Sequence, residues 1–219
     1  MTQIDVGEKI LSVNDQIALQ VRDTLDARGL LGLNVMGSPG AGKTSVILTT
    51  ARALEGRFKL SVIEGDIASR VDADKVAAAG IPVHQINTGG MCHLDAPMVQ
   101  DALARLDTAG TNLLFIENVG NLVCPNEFAL GAHRKVLIAS VPEGDDKPFK
   151  YPGMFQDSDA VVLNKIDLLP HFDFDLDAYQ KLLISLNPDV ALFPLSCKTG
   201  QGVSEWADWL ADEAKGAGT

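Results

Sequence analysis

The sequence predicts an α/β fold of the P-loop NTPase kind, a doubly wound, mostly parallel sheet with helices on both faces. Three observations carry this expectation. Gly37-Ser38-Pro39-Gly40-Ala41-Gly42-Lys43-Thr44 completes the phosphate-loop pattern G-x-x-x-x-G-K-S/T. That loop stands between an apolar run at 31–36 and a helix-like run at 43–54, the setting the pattern requires. From residue 31 onward, short apolar runs alternate with stretches of helical period.

In chain order, Ile10, Val13, Ile17, Val21 and Leu25 fall on one helical stripe, which predicts a leading amphipathic helix over 10–28 stopped by Gly29. Strands are expected at 31–36, 58–63, 82–86, 112–117, 134–141, 159–163 and 190–194. Helices are expected at 43–54, 71–79, 95–106, 176–186 and 203–215. No repeat, low-complexity tract or linker interrupts the pattern, so one GTPase domain is expected over 1–219: a leading helix to 30, a core over 31–215 and a frayed tail over 216–219. A net charge of -11 argues against nucleic acid as a partner, because phosphate neutralisation needs clustered Lys and Arg. No membrane span or secretion signal is recognisable, which points to the cytoplasm.

Glycines 37, 40 and 42 let the loop curl so that successive N–H groups converge on phosphate oxygens at a helix N-terminus, with Ser45 continuing the turn. Lys43 is expected to bridge the β- and γ-phosphates and Thr44 to place its hydroxyl on Mg2+. Asn164-Lys165-Ile166-Asp167 follows an apolar strand. Guanine offers two donors on one edge, which a carboxylate accepts and which adenine lacks, so Asp167 selects guanine. Asn164 would brace this loop against the phosphate loop, and the Lys165 stem would lie over the base. Ser196-Cys197-Lys198 supplies the matching backbone N–H for guanine O6. GTP and GDP are therefore the expected ligands.

The run at 58–63 leads into Glu64-Gly65-Asp66, and the run at 112–116 into Glu117-Asn118-Val119-Gly120-Asn121. Asp66 and Glu117 are expected near Mg2+, with the Gly120 backbone sensing the γ-phosphate. Lys43, Asp66, Glu117 and Gly120 form the expected catalytic set. Asn121 stands where fast GTPases carry a water-positioning Gln, and its shorter amide predicts hydrolysis on the order of Ras without its activator, or slower.

Cys92, His93 and Cys124 offer two thiols and an imidazole, a donor set that suits Ni2+ or Zn2+ and not Mg2+. On spacing alone, a reading of the thiols as buried small hydrophobes stays open. Cys197 fits that second reading, standing in the base-reading loop. Three ligands leave a site incomplete, and a symmetric dimer would complete it. Cys124 lies on the segment that moves when the γ-phosphate leaves, so metal affinity and nucleotide state are expected to be linked.

These motifs resemble those of the nickel-incorporation GTPases of nickel-iron hydrogenase maturation, the HypB family. The resemblance rests on the phosphate loop, Glu64-Gly65-Asp66, Gly90-Met91-Cys92-His93-Leu94-Asp95, Glu117 through Pro125, and Glu143-Gly144-Asp145-Asp146-Lys147-Pro148. It implies a SIMIBI-type GTPase and a homodimer promoted by GTP. It also implies an interface metal site from Cys92, His93 and Cys124, and nickel passed with partner nickel chaperones to a hydrogenase large-subunit precursor. Lys147 and Lys150 then fall in a loop able to cross the dimer, though solvated lysines explain them as well. The alternatives are a GTPase chaperone of the urease-nickel or cobalamin type and a P-loop metabolite kinase. A kinase has no use for Asn164-Lys165-Ile166-Asp167.

Overall fold

A computed structural model describes residues 6–217. Helix α1 (Val6–Ala27) leads into β1 (Leu31–Gly37), the phosphate loop and α2 (Lys43–Ala53). There follow β2 (Leu60–Asp66), α3 (Val71–Ala78), β3 (Val83–Asn87), α4 (Ala96–Arg105), β4 (Leu113–Glu117) and β5 (Arg134–Ser140). Two short helices come next, α5 (Lys147–Lys150) and α6 (Pro152–Gln156), then β6 (Ala160–Asn164), α7 (Leu176–Leu186), β7 (Ala191–Pro194) and α8 (Val203–Ala217). The seven strands form one sheet in the order β3-β2-β4-β1-β5-β6-β7, and every pairing among them is parallel. The expected mostly parallel sheet is thus wholly parallel among the described residues.

Alternation along each strand builds two apolar layers. Leu113 and Phe115 of β4 point to a layer shared with α2, α3 and α8, while Leu114 and Ile116 point to a layer shared with α1 and α4. A third cluster packs α6 and α7 beneath β5 and β6. Both faces of the central strands are therefore covered, which explains their uninterrupted apolar runs. The strands' carboxyl ends gather at one edge, and all the expected site residues collect there.

Four expectations need correction. Strand β2 begins two residues later than predicted and runs on through Glu64 to Asp66, because Val62–Asp66 pairs in register with Val83–Asn87. Helix α1 starts earlier, and its buried face runs through Asn14, Ala18, Val21 and Leu25. Val13, placed on the expected stripe, is 48% exposed, since a spacing of three or four residues also fits a face one position round; the Ile10 side chain lies outside the described residues. Helix α8 continues through Gly216 to Ala217, beyond the start of the expected frayed tail, whose last residues 218–219 lie outside the described part. The helices α5 and α6 were not foreseen, being too short to show an apolar period.

Candidate nucleotide cleft and thiol-imidazole cluster

The phosphate loop takes the shape its glycines allow. Gly42 adopts φ +100°, and a Cβ there would meet Asn164 Nδ2 at 2.4 Å, so any side chain would displace the residue that braces the loop. Asn164 Nδ2 donates to Ala41 O at 3.1 Å, and Lys165 Nζ donates to Gly40 O at 2.6 Å. The brace predicted for Asn164 is present, and Lys165 reaches across the loop from the only described non-glycine residue with positive φ, +63°. Lys43 Nζ makes long bonds to Gly37 O and Ser38 O, at 3.4 and 3.5 Å.

Two cavities of about 510 and 470 Å3 meet along this loop, sharing Gly42, Ser45, Leu48 and Lys165. The second is closed by Asn164, Asp167, Cys197 and Lys198. Asp167 is held there, its Oδ1 accepting from Ser196 Oγ at 2.6 Å and its Oδ2 lying 4.0 Å from Lys198 Nζ. The Cys197 N–H points at Asn164 Oδ1, a long 3.4 Å bond. Burial pushes the Cys197 thiol up, and this residue takes no part in the group of thiols described below.

The first cavity is acidic. Thr44 Oγ1 donates to Glu117 Oε1 at 2.9 Å, while Glu117 Oε2 is buried without a hydrogen-bond partner. Glu64 pairs directly across from Glu117 in the β2–β4 ladder, and its Oε2 is likewise buried and unpartnered. Burial, followed by the Glu117 and Asp66 charges, lifts Glu64 from 4.5 to about 8. Burial lifts Glu117 from 4.5 to about 7 against the pull of Lys43 and the Thr44 hydroxyl. Asp66 also lines the cavity, with Oδ1 accepting from Ala68 and Ser69 N–H at 2.9 and 2.6 Å. Glu64 belongs to a motif that marks the resemblance, but its place beside Glu117 is not among the expected roles. Its signal was an acid directly after the apolar run Leu60–Ile63, inside what proved to be the strand.

Gly120 sits so close to the phosphate loop that a Cβ would lie 2.9 Å from Pro39 Cγ. The next residue couples two regions: Asn121 N donates to Gly37 O at 3.1 Å, and Asn121 Nδ2 donates to Cys92 O at 3.4 Å. Its Oδ1 accepts from Val123 N at 2.9 Å. Asn118, 1% exposed, acts in parallel, with Oδ1 accepting from Leu94 N at 3.0 Å and Nδ2 donating to the buried Asn34 at 3.3 Å. A short run from β4 is therefore tied on one side to the phosphate loop and on the other to the residues around Cys92.

There the thiols and imidazole meet. Ligand atoms of Cys92, His93 and Cys124 all lie within 4.8 Å of one another, and all three residues are half-buried. Cys92 Sγ is 3.8 Å from His93 Nδ1, and the His93 ring stacks on Phe128 at 4.0 Å between centroids. The Cys124 thiol is held above its ordinary value, first by its contact with the Cys92 sulfur and then by burial. The two sulfurs and the imidazole converge, an arrangement that a reading of the thiols as separate buried hydrophobes does not call for. Lys147 and Lys150 stand on the short helix α5 and not in the expected loop; Lys150 pairs with Asp146, and Lys147 Nζ lies 5.6 Å from the Tyr151 ring centre, so both have partners at the ends of that helix.

The sequence profile described as "CobW/HypB/UreG, nucleotide-binding domain" matches residues 32–194. The hydrogenase maturation factor HypB of Azotobacter vinelandii is 50% identical over 205 residues, covering 94% of this chain and 68% of that protein. The chain belongs to the HypB family. HypB from Helicobacter pylori, solved in complex with nickel, superposes with a TM-score of 0.88 at 37% identity, over 93% of this chain and 95% of that one. The signal recognition particle receptor FtsY of Elizabethkingia anophelis shares the fold alone, with a TM-score of 0.56 at 16% identity over 95% of this chain and 74% of that one. The HypB family therefore accounts for the phosphate loop and for the parallel sheet around it. Among the described residues no helix is long and apolar enough to cross a membrane.

Proposed function

We propose that the chain is a GTP-hydrolysing nickel carrier of hydrogenase maturation, working in the cytoplasm as a homodimer that GTP promotes. In this reading Asp167, fixed by Ser196, accepts the two donors of guanine. The phosphate-loop N–H groups and Lys43 hold the phosphates. Oxygen donors with two buried, unpartnered carboxylate oxygens fit a hard divalent cation, so Thr44, Asp66 and Glu117 would hold Mg2+, with Glu64 beside them. Bound there, Mg2+ supplies positive charge to the β- and γ-phosphates. The amide of Asn121 is committed to Cys92 O and Val123 N, away from any attacking water, which favours slow hydrolysis.

Cys92, His93 and Cys124 would take the nickel or zinc ion as cargo. Three donors leave a fourth position to a second copy of the chain, and Met91 and Val123, 42% and 55% exposed, give the cluster an apolar rim suited to such a contact. The ion would then pass, with partner nickel chaperones, to a hydrogenase large-subunit precursor. The observation that carries the proposal is the run from Glu117 to Cys124, which touches the phosphate loop through Asn121 and bears one of the converging thiols.

Ni2+ and Zn2+ titrations, read by thiolate-to-metal absorption and by solution mass with GDP and with a non-hydrolysable GTP analogue, test it. Thiolate-coordinated nickel and a dimer favoured by the analogue are expected, with absorption lost in Cys92→Ala and Cys124→Ala. A wild-type protein that binds nickel without a thiolate signal, or that stays monomeric with the analogue, contradicts it.

A further inference from the structure

The cluster's ligands sit on two separate arms, 88–95 ahead of α4 and 118–130 beyond β4. One residue from a third element bonds just past the end of the first, at Ala96, and within the second, at Ala129. Asn14 of α1 is 4% exposed; its Oδ1 accepts from Ala96 N at 2.8 Å and its Nδ2 donates to Ala129 O at 2.9 Å. The first bond completes the start of α4. Asp95 accepts from Met98 N at 2.9 Å, Pro97 has no N–H, and Ala96 N is the donor left over. The second bond has no such local purpose. Ala129 follows Phe128, whose ring lies flat on His93, interplanar angle 13°.

We infer that Asn14 is a positioning residue for the metal cluster, a clamp that sets the distance between the arm bearing Cys92 and His93 and the arm bearing Cys124. An amide is the side chain that does this, because it presents one donor and one acceptor in a fixed plane, and both partners here are backbone groups, of which the buried Ala96 N depends on it for its hydrogen bond. Helix α1 lies outside the phosphate loop and the base-reading loop, so the clamp acts on the cargo site and not on the nucleotide. Arg22 Nε, two turns along, holds the same arm at Gly131 O, at 2.8 Å, which keeps α1 seated when Asn14 is changed. The inference rests on the nickel reading above.

The test uses the whole chain without nucleotide. Ni2+ affinity and the thiolate-to-nickel absorption spectrum are compared for wild type, Asn14→Ala, Asn14→Gln and Leu25→Ala. Leu25, fully buried at the far end of α1, serves as a control for helix destabilisation. Asn14→Ala is expected to bind nickel about tenfold more weakly, with a changed absorption spectrum, the size seen when outer partners of metal ligands are removed. Asn14→Gln should recover part of the loss, while Leu25→Ala lowers the melting temperature at least as much and leaves affinity and spectrum alone. Wild-type affinity and spectrum in Asn14→Ala overturn the clamp, as does an equal affinity loss in Leu25→Ala. If wild type itself gives no thiolate spectrum, the nickel reading has failed and the clamp falls with it; the wild-type trace tells the two failures apart.

Discussion

The nucleotide cleft and the metal-ligand cluster lie side by side but are held in different ways. In the cleft, functional groups stand on strand ends and on one helix start, and the sheet itself sets their spacing: Glu64 and Glu117 are neighbours because β2 and β4 pair in that register. In the cluster, Cys92 and His93 ride on a loop and Cys124 on a single 3-10 turn, and amides tie these segments together: Asn121 and Asn118 from the arm of Cys124, and Asn14 from α1. A site built on a ladder tolerates loss of single contacts. A site built on loops is more easily moved when a tie is cut, which would suit the proposed release of an ion.

The largest effect should come from the cleft's base-reading end. Asp167→Ala removes a charged acceptor for two donors, so GTP affinity should fall about a hundredfold or more, read by nucleotide titration, with nickel binding in the absence of nucleotide retained. Loss of both together would erase the distinction between the two regions.

The buried acids give the next largest effect, and its sign follows from their direction. Glu64 and Glu117 rise from 4.5 to about 8 and about 7, so between those values the folded chain keeps protons that the unfolded chain has released. The nucleotide-free, Mg2+-free protein should therefore be most stable below about pH 4.5 with respect to these groups, and lose stability as pH rises toward 8, by up to about 1.4 kcal/mol per pH unit per proton. Glu64→Gln should flatten this fall in melting temperature between pH 5 and 8.5. An unchanged slope would remove Glu64 from the acidic pair. Added Mg2+ with GDP should raise the melting point of wild type most at the alkaline end.

A smaller effect is expected at Phe128. Replacing it with Leu removes the ring under His93 and should weaken nickel binding a few-fold, while GDP affinity stays close to wild type, since an aromatic pair of this geometry contributes about 0.5 to 1.5 kcal/mol.

The same contrast governs what could be read in advance. Strand runs and helix periods are local patterns, and β1, α2, β4, β6, α7 and β7 stand within about two residues of where the sequence places them. The cleft was legible for the same reason, as its motifs are short strings at strand ends. The cluster's ligands were legible as residue types, but their meeting was expected only through the family resemblance and not from spacing, because it joins positions about thirty apart. The ties themselves were hidden: Asn14, Asn34 and Asn118 are single amides within apolar surroundings, and only burial reveals that each has fixed partners. Glu64 was hidden by Asp66, the more familiar metal ligand two residues on.

Asn121, which bonds both Gly37 O and Cys92 O, is the residue through which nucleotide state and metal grip would be joined. The direct measurement is the Ni2+ dissociation constant with GDP and with a non-hydrolysable GTP analogue, for wild type and Asn121→Ala. At least a fivefold difference between the two states is expected in wild type, the lower end of about 1 kcal/mol of coupling, with its collapse in the variant. Equal constants in both states of the wild-type protein would contradict it.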